Sequence, residues 1–205
     1  MLAVVPTSIA IVLVVMTGYE LGSIPVANLV ARRHGITDLR DVGDRNPGFW
    51  NAFELVGWRA ALPIFVGDVA KGAAAAGIGR ALADPGQWWL PYLGAGAAML
   101  GHAFPVLAGF RGGRSVLTFV GGAAVAAPLP AACAAGLAAA TWLVSRRFEW
   151  AARLGVAAFP VVQILLDGAE RTAATGALMT FVGLRFATAT RGSRAGQPET
   201  RPRQR

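Results

Sequence analysis

Two short basic stretches hold the residues best suited to chemistry. "GDRNPGFWN", residues 43–51, carries Arg45 and Asn46 ahead of Pro47, and Arg40 lies just upstream. "FRGGRSV", residues 110–116, carries Arg111, Gly112, Gly113, Arg114 and Ser115. Each resembles a helix start: Asn46 as cap with Pro47 at the first helical position, and Ser115 as cap of a later helix. Unpaired backbone N–H groups at a helix start, with glycines that allow close approach, form an anion site. Arg40, Arg45, Arg111 and Arg114 add planar donors that match phosphate in pairs. The bland alternative is two tight loops whose arginines only mark one membrane face.

Three further ionisable groups sit inside apolar segments. Asp68 and Lys71, the chain's one lysine, are three residues apart and so neighbours on a helix. They form either a mutual ion pair facing a bundle interior or a contact to substrate phosphate, because an unpaired charge at mid-bilayer costs about 3 kcal/mol. His102 is either a general base or a hydrogen-bond partner for a neighbouring helix. The single Cys133 allows no internal disulfide and reads as a buried, inert thiol.

Composition says what must position these groups. Of 205 residues, 55% are hydrophobic and 15% charged, and mean hydropathy is +0.51. A soluble domain carries about 25% charged residues. The deficit runs along most of the chain, as in an integral membrane protein whose surface faces lipid. The net charge of +8 suggests a nucleic-acid partner, but no basic face with interleaved aromatics is present, and nucleic acid is excluded on that ground.

Crossing a bilayer takes about 20 apolar residues. Residues 3–30, 55–82 and 88–109 each supply a span, with Pro25 ending or bending the first. Residues 116–144 contain Pro128 and Pro130, which predict two shorter helices, 116–127 and 131–144. Segments 154–166 and 172–187 complete an all-α integral membrane protein of about seven helical segments. Segments 32–50, 110–115, 145–153 and 185–205 hold 15 of the 19 basic residues. Cytoplasmic loops carry that excess, which predicts the N-terminus outside and the C-terminus cytoplasmic. Residues 1–188 form one polytopic membrane domain, and 189–205 a basic, disordered tail near anionic headgroups. Alanine-rich stretches read as packing faces, and Trp88, Trp89 and Tyr92 as an interfacial aromatic belt.

"GSIPVANLVARRHGITDLRDVGDRNPGFWNAFELVGW", "GDVAKG" and "GHAFPVLAGFRGGRSVLTFVGG" together resemble the bacterial acyl-phosphate:glycerol-3-phosphate acyltransferase family (PlsY type). That family shows GSIP, then D-[IL]-R-x-x-G-S-G-N-x-G-A-T-N-x-x-R, L-D-x-x-K-G and G-H-x-[FY]-P-x-x-x-x-F-K-G-G-K-G-V-A-T. Order and spacing match over residues 22–122. The resemblance implies a seven-helix fold in the bacterial inner membrane, with acyl phosphate and glycerol 3-phosphate as partners. Fatty acyl transfer to the 1-hydroxyl then yields lysophosphatidate and phosphate, with no metal or cofactor. It further implies His102 and Arg114 as catalytic residues. Ser23, Arg40, Arg45, Asn46, Asn51, Asp68, Lys71, Arg111, Gly112, Gly113 and Ser115 are implied to bind substrate.

The departures are specific. Asp44 stands where the family has serine, Arg45 for glycine, Trp50 for threonine and Glu54 for arginine. Arg111 and Arg114 replace two lysines. The family's C-terminal H-R-x-N-I-x-R-L is matched by "LRFATATRGSRAG", without its His and Asn. Asp44 and Glu54 would repel phosphate, and Trp50 would fill substrate space. Two readings follow: an acyltransferase with its cradle rebuilt around Arg40, Arg45, Arg111 and Arg114, or a catalytically degenerate paralogue that binds lipid or a partner membrane protein.

Overall fold

The computed structural model describes residues 5–195, and these are helical with no strand. In chain order the helices are α1 (Thr7–Ser23), α2 (Val26–Arg33), α3 (Phe49–Val56), α4 (Trp58–Leu82), α5 (Leu90–Ala103), α6 (Val116–Ala126), α7 (Pro128–Ser145), α8 (Phe148–Asp167) and α9 (Ala169–Ala195). A short 3-10 turn, Val106–Ala108, follows α5. Among the described residues five stretches are long and apolar enough to cross a bilayer: Thr7–Arg33, Trp58–Leu82, Leu90–Ala108, Pro128–Ser145 and Phe148–Asp167.

The seven expected segments become nine α-helices among the described residues because the first is broken and α3 forms ahead of the second, from the end of the expected polar loop. Ile24, the residue before Pro25, is extended with ψ 115°, as proline's ring requires of its predecessor. That separates α1 from α2. Gly57, at φ 82°, separates α3 from α4. Pro128 and Pro130 do not form an inter-helix turn. They lie in the first turn of α7, after a break at Ala127, where a missing N–H costs nothing. α7 therefore starts three residues earlier than expected. α9 continues to Ala195, so residues 189–195 of the expected tail are helical, and 196–205 lie outside the described residues.

α4 is the central helix, packed against α1, α5 and α6. Its neighbours come close because side chains are missing where they meet. A Cβ on Gly72 would overlap the carbonyl of Thr118, and one on Gly121 the carbonyl of Val69. Gly22 and Gly101 make the reciprocal contact between α1 and α5. Large apolar residues such as Leu13, Met16, Phe65, Val66 and Leu165 instead face outward. That inversion suits a surface bathed in lipid.

Three expectations are corrected. The alanine-rich α7 is mostly outward-facing, burying only Pro130 and Ala134, and Cys133 is exposed on it rather than buried. Tyr92 is buried rather than part of a belt. Its hydroxyl accepts a 2.8 Å hydrogen bond from the fully buried Gln163 of α8.

Gly72→Val is expected to lower the detergent melting temperature by more than any Gly→Ala change at an open position such as Gly136, since overpacking costs about 1–3 kcal/mol. A thermal melt followed by circular dichroism checks this.

Candidate functional site

Two loops, 34–48 and 104–115, meet at one end of the bundle, each shaped by buried groups. In the first, Asn28 of α2 accepts from Leu39 N through Oδ1 at 3.2 Å. Asn51 of α3 donates from Nδ2 to the carbonyls of Leu39 and Val42, both at 3.0 Å. Its Oδ1 accepts from Asp44 N at 3.1 Å. Asn51 is fully buried, so it shapes the loop and does not line the site, contrary to expectation. The cap of α3 is Gly48, not Asn46. Asn46 N instead donates to Asp44 Oδ1 at 3.0 Å, closing a tight turn.

The second loop folds back onto α5. Gly112 N donates to Ala103 O at 3.0 Å and Gly113 N to His102 O at 3.1 Å. These amides are therefore committed to α5 and are not free phosphate donors, which corrects the expectation. A Cβ on Gly112 would overlap the His102 carbonyl, and one on Gly113 the His102 Nε2. Ser115 precedes α6 at φ 64° and caps nothing with its side chain. Its hydroxyl donates to Met99 O at 2.8 Å and is buried, so Ser115 too lies off the cavity.

Arg40 ties the loops together. It forms a tight ion pair with Asp38, and its Nη1 donates to Ala108 O at 2.8 Å and Arg111 O at 3.2 Å. The Arg40 guanidinium, with help from the Arg40 backbone N–H and Asn28, holds the Asp38 carboxyl down at about 2. The same pairing raises the Arg40 pKa.

Between the loops and α9 lies a cavity of about 510 Å³. Its lining holds five arginines (Arg40, Arg45, Arg111, Arg114 and Arg185) and one carboxylate, Asp44. Asn46 and Gly112 also reach it. Asp44 Oδ2 accepts from Arg114 Nη1 at 2.9 Å, which neutralises part of the expected repulsion. Arg45 adopts φ 59°, a left-handed conformation that explains why the resembling pattern has glycine there. Glu54 accepts from Trp50 Nε1 at 2.8 Å, and Trp50 stacks on Phe148 at 5.6 Å. Neither lines the cavity, so the expected obstruction and second repulsion are absent.

Arg185 was missed. It donates from Nη2 to Gly112 O at 3.2 Å and Gly113 O at 3.3 Å, and its guanidinium lies 4.8 Å over Phe104. The signal was present: it occupies the arginine position of the C-terminal H-R pattern. Asn28, an asparagine on the apolar face of "VANLVARR", was a second such signal.

Beneath the cavity is a recess of about 20 Å³, lined in part by Asp68, Lys71 and His102. Pro47, Arg111 and Gly112 border both spaces. Asp68 Oδ1 is 2.8 Å from Lys71 Nζ and 3.5 Å from His102 Nδ1, so the mutual ion pair is formed. Lys71 Nζ also reaches Ile24 O at 3.4 Å. Ser23 is fully buried at the end of α1, outside the recess lining, and its hydroxyl lacks a partner among the described residues.

An all-helical membrane fold with an arginine-lined anion cavity at one end defines the class. The glycerol-3-phosphate acyltransferase family model matches residues 12–194. A glycerol-3-phosphate acyltransferase of Cereibacter sphaeroides is 38% identical over 177 residues, covering 83% of this chain and 80% of that one. One of Jannaschia sp. is also 38% identical over 177 residues, covering 84% of each. The fold is similar to the crystal structure of PlsY (YgiH), an integral membrane glycerol 3-phosphate acyltransferase, in its glycerol 3-phosphate form. There the TM-score is 0.75 at 24% identity, over 91% of this chain and 92% of that one. The chain belongs to the glycerol-3-phosphate acyltransferase family.

The Asp38–Arg40 pair makes stability pH-dependent. Because the folded carboxyl titrates below its unfolded value of about 3.9, its contribution is present above about pH 4 and is lost as pH falls toward about 2. Wild type is therefore expected to lose melting temperature over that window more steeply than Asp38→Asn, measured in detergent across a pH series.

Proposed function

We propose that this chain transfers a fatty acyl group from acyl phosphate to the 1-hydroxyl of glycerol 3-phosphate at the arginine-lined cavity. As a member of its family the chain is a membrane acyltransferase of phospholipid synthesis. The observation that carries the finer reading is that the cavity borders the His102 recess, while an apolar groove begins at Val116, two residues after Arg114. The groove, of about 490 Å³, runs between α6, α7 and α8 from Val116 and Leu117, directly after the basic loop. Among the described residues its lining contains no charged side chain.

In this reading the acyl chain lies in the groove and its phosphate meets Arg114. The phosphate of glycerol 3-phosphate meets Arg45 and Arg111, whose guanidiniums project at the cavity. Its hydroxyl then points to the recess that Arg111 shares with His102. The hydroxyl oxygen attacks the carbonyl carbon, the bond from that carbon to the phosphate oxygen breaks, and phosphate leaves with the bonding electrons. The hydroxyl proton passes to His102 Nε2, while Asp68 on the Nδ1 side holds the ring and stabilises its charged form. Arg114 offsets negative charge gathering on the leaving phosphate. Arg40 and Arg185 act by fixing the loops.

The distribution of basic residues supports a cytoplasmic location for this end of the bundle, an external N-terminus and residence in the bacterial inner membrane. Residues 1–188 then form the single membrane domain.

Purified protein in lipid, supplied with palmitoyl phosphate and glycerol 3-phosphate, is expected to release phosphate and lysophosphatidate in equal amounts. Arg111→Ala should lower kcat/KM about tenfold to a hundredfold, as loss of charge-assisted bonds implies. His102→Gln should lower kcat by at least about a hundredfold. Phosphate without lysophosphatidate would replace transfer by hydrolysis, and a kcat within about threefold of wild type in His102→Gln would remove His102 as the base.

A further inference from the structure

The five guanidiniums of the cavity are not equivalent. Arg40 is committed to Asp38 and two carbonyls, and Arg185 to the carbonyls of Gly112 and Gly113. Arg45 and Arg111 have no side-chain partner among the described residues. Arg114 has one, the Asp44 carboxylate at 2.9 Å.

Asp44 is held for that contact. Its Oδ1 accepts from Asn46 N at 3.0 Å, and its own N–H donates to the buried Asn51 at 3.1 Å. The turn thus leaves Oδ2 directed at Arg114. The Arg114 guanidinium is fixed from its other side, 4.8 Å over the Phe186 ring, and its Nε is buried without an acceptor among the described residues. A carboxylate and a phosphate offer a guanidinium the same thing, oxygens in a plane that accept its paired N–H groups. The position that would receive one phosphate is therefore filled by an anion belonging to the chain.

We infer that Asp44 is a built-in competitor for the acyl donor's phosphate at Arg114, and for the inorganic phosphate left there after transfer. The donor half of this inference rests on the acyl-transfer reading above. Arg114 lies two residues before Val116, where the apolar groove begins, whereas Arg111 borders the His102 recess. Donor phosphate accordingly falls to Arg114 and acceptor phosphate to Arg45 and Arg111. The donor must displace a carboxylate in order to bind. When its phosphate has been released, the same carboxylate returns to Arg114 and drives phosphate out. Asp44 thereby weakens donor binding selectively and limits product inhibition.

Asp44→Asn removes the charge and keeps an oxygen for the Asn46 amide. Full-length protein in phospholipid nanodiscs is titrated with inorganic phosphate by calorimetry, and KM is measured separately for palmitoyl phosphate and glycerol 3-phosphate. Phosphate is expected to bind at least about fivefold tighter to Asp44→Asn than to wild type, given the usual strength of a charge-assisted bond. KM for palmitoyl phosphate should fall by a similar factor, with KM for glycerol 3-phosphate within about twofold. Unchanged or weaker phosphate binding overturns the inference, as does an equal fall in both KM values. Should Asp44→Asn melt early, Asp44→Ser and Asp44→Glu decide it: the serine variant must bind phosphate tighter and the glutamate variant must not. A wild type without acyl transfer would sink the functional reading, while the phosphate titration alone would still decide the role of Asp44.

Discussion

The site depends on one steric constraint: the backbone of the basic loop lies directly against the C-terminal end of α5. Gly112 sits over the His102 carbonyl at a separation that admits no Cβ, and Gly113 does the same against the imidazole. Two amide hydrogen bonds, from Gly112 to Ala103 and from Gly113 to His102, fasten the contact. Without it the loop would stand off from the bundle, and Arg111 and Arg114 would have no fixed direction. With it, Arg111 and Gly112 border both the cavity above and the His102 recess below. The glycines work as spacers rather than as phosphate donors.

Gathering five guanidiniums around about 510 Å³ carries an electrostatic cost. Like charges at such separations repel by several kcal/mol where water is partly excluded. The structure offsets this unevenly. Asp38 neutralises Arg40, Asp44 neutralises Arg114, and the carbonyls of Gly112 and Gly113 draw Arg185 away from the centre. Aromatic faces beneath Arg114 and Arg185 add cation–π attraction. Among the described residues Arg45 and Arg111 remain unpaired, which is the charge a dianionic phosphate requires. The buried Asp68–Lys71–His102 group joins α4 to α5 and supplies its own carboxylate.

The membrane class, the helix-rich fold and the two loops were legible because they follow from composition, proline positions and glycine–arginine spacing. What sequence could not give was direction. Asn51 and Ser115 have the same polar groups whether they face a ligand or a backbone, and here both turn inward to carbonyls. Glu54 and Trp50 looked obstructive only if they faced the cavity, and an i,i+4 hydrogen bond between them turns both aside. Asp44 looked repulsive until its partner was known to be Arg114, 70 residues away in sequence. Arg185 keeps the family's arginine position but lacks the His and Asn beside it, so the pattern there is only half legible. Cys133 was misplaced for a different reason: in lipid, an alanine-rich helix has no need to bury its small residues.

The most direct measurement of the central constraint is acyl transfer by Gly112→Ala. A methyl group there must push the loop off the His102 carbonyl without adding charge, removing a donor or touching a side chain that binds substrate. The account predicts loss of at least about a hundredfold in activity, with helical content and extraction from the membrane as in wild type. Activity within about threefold of wild type in that variant would contradict it.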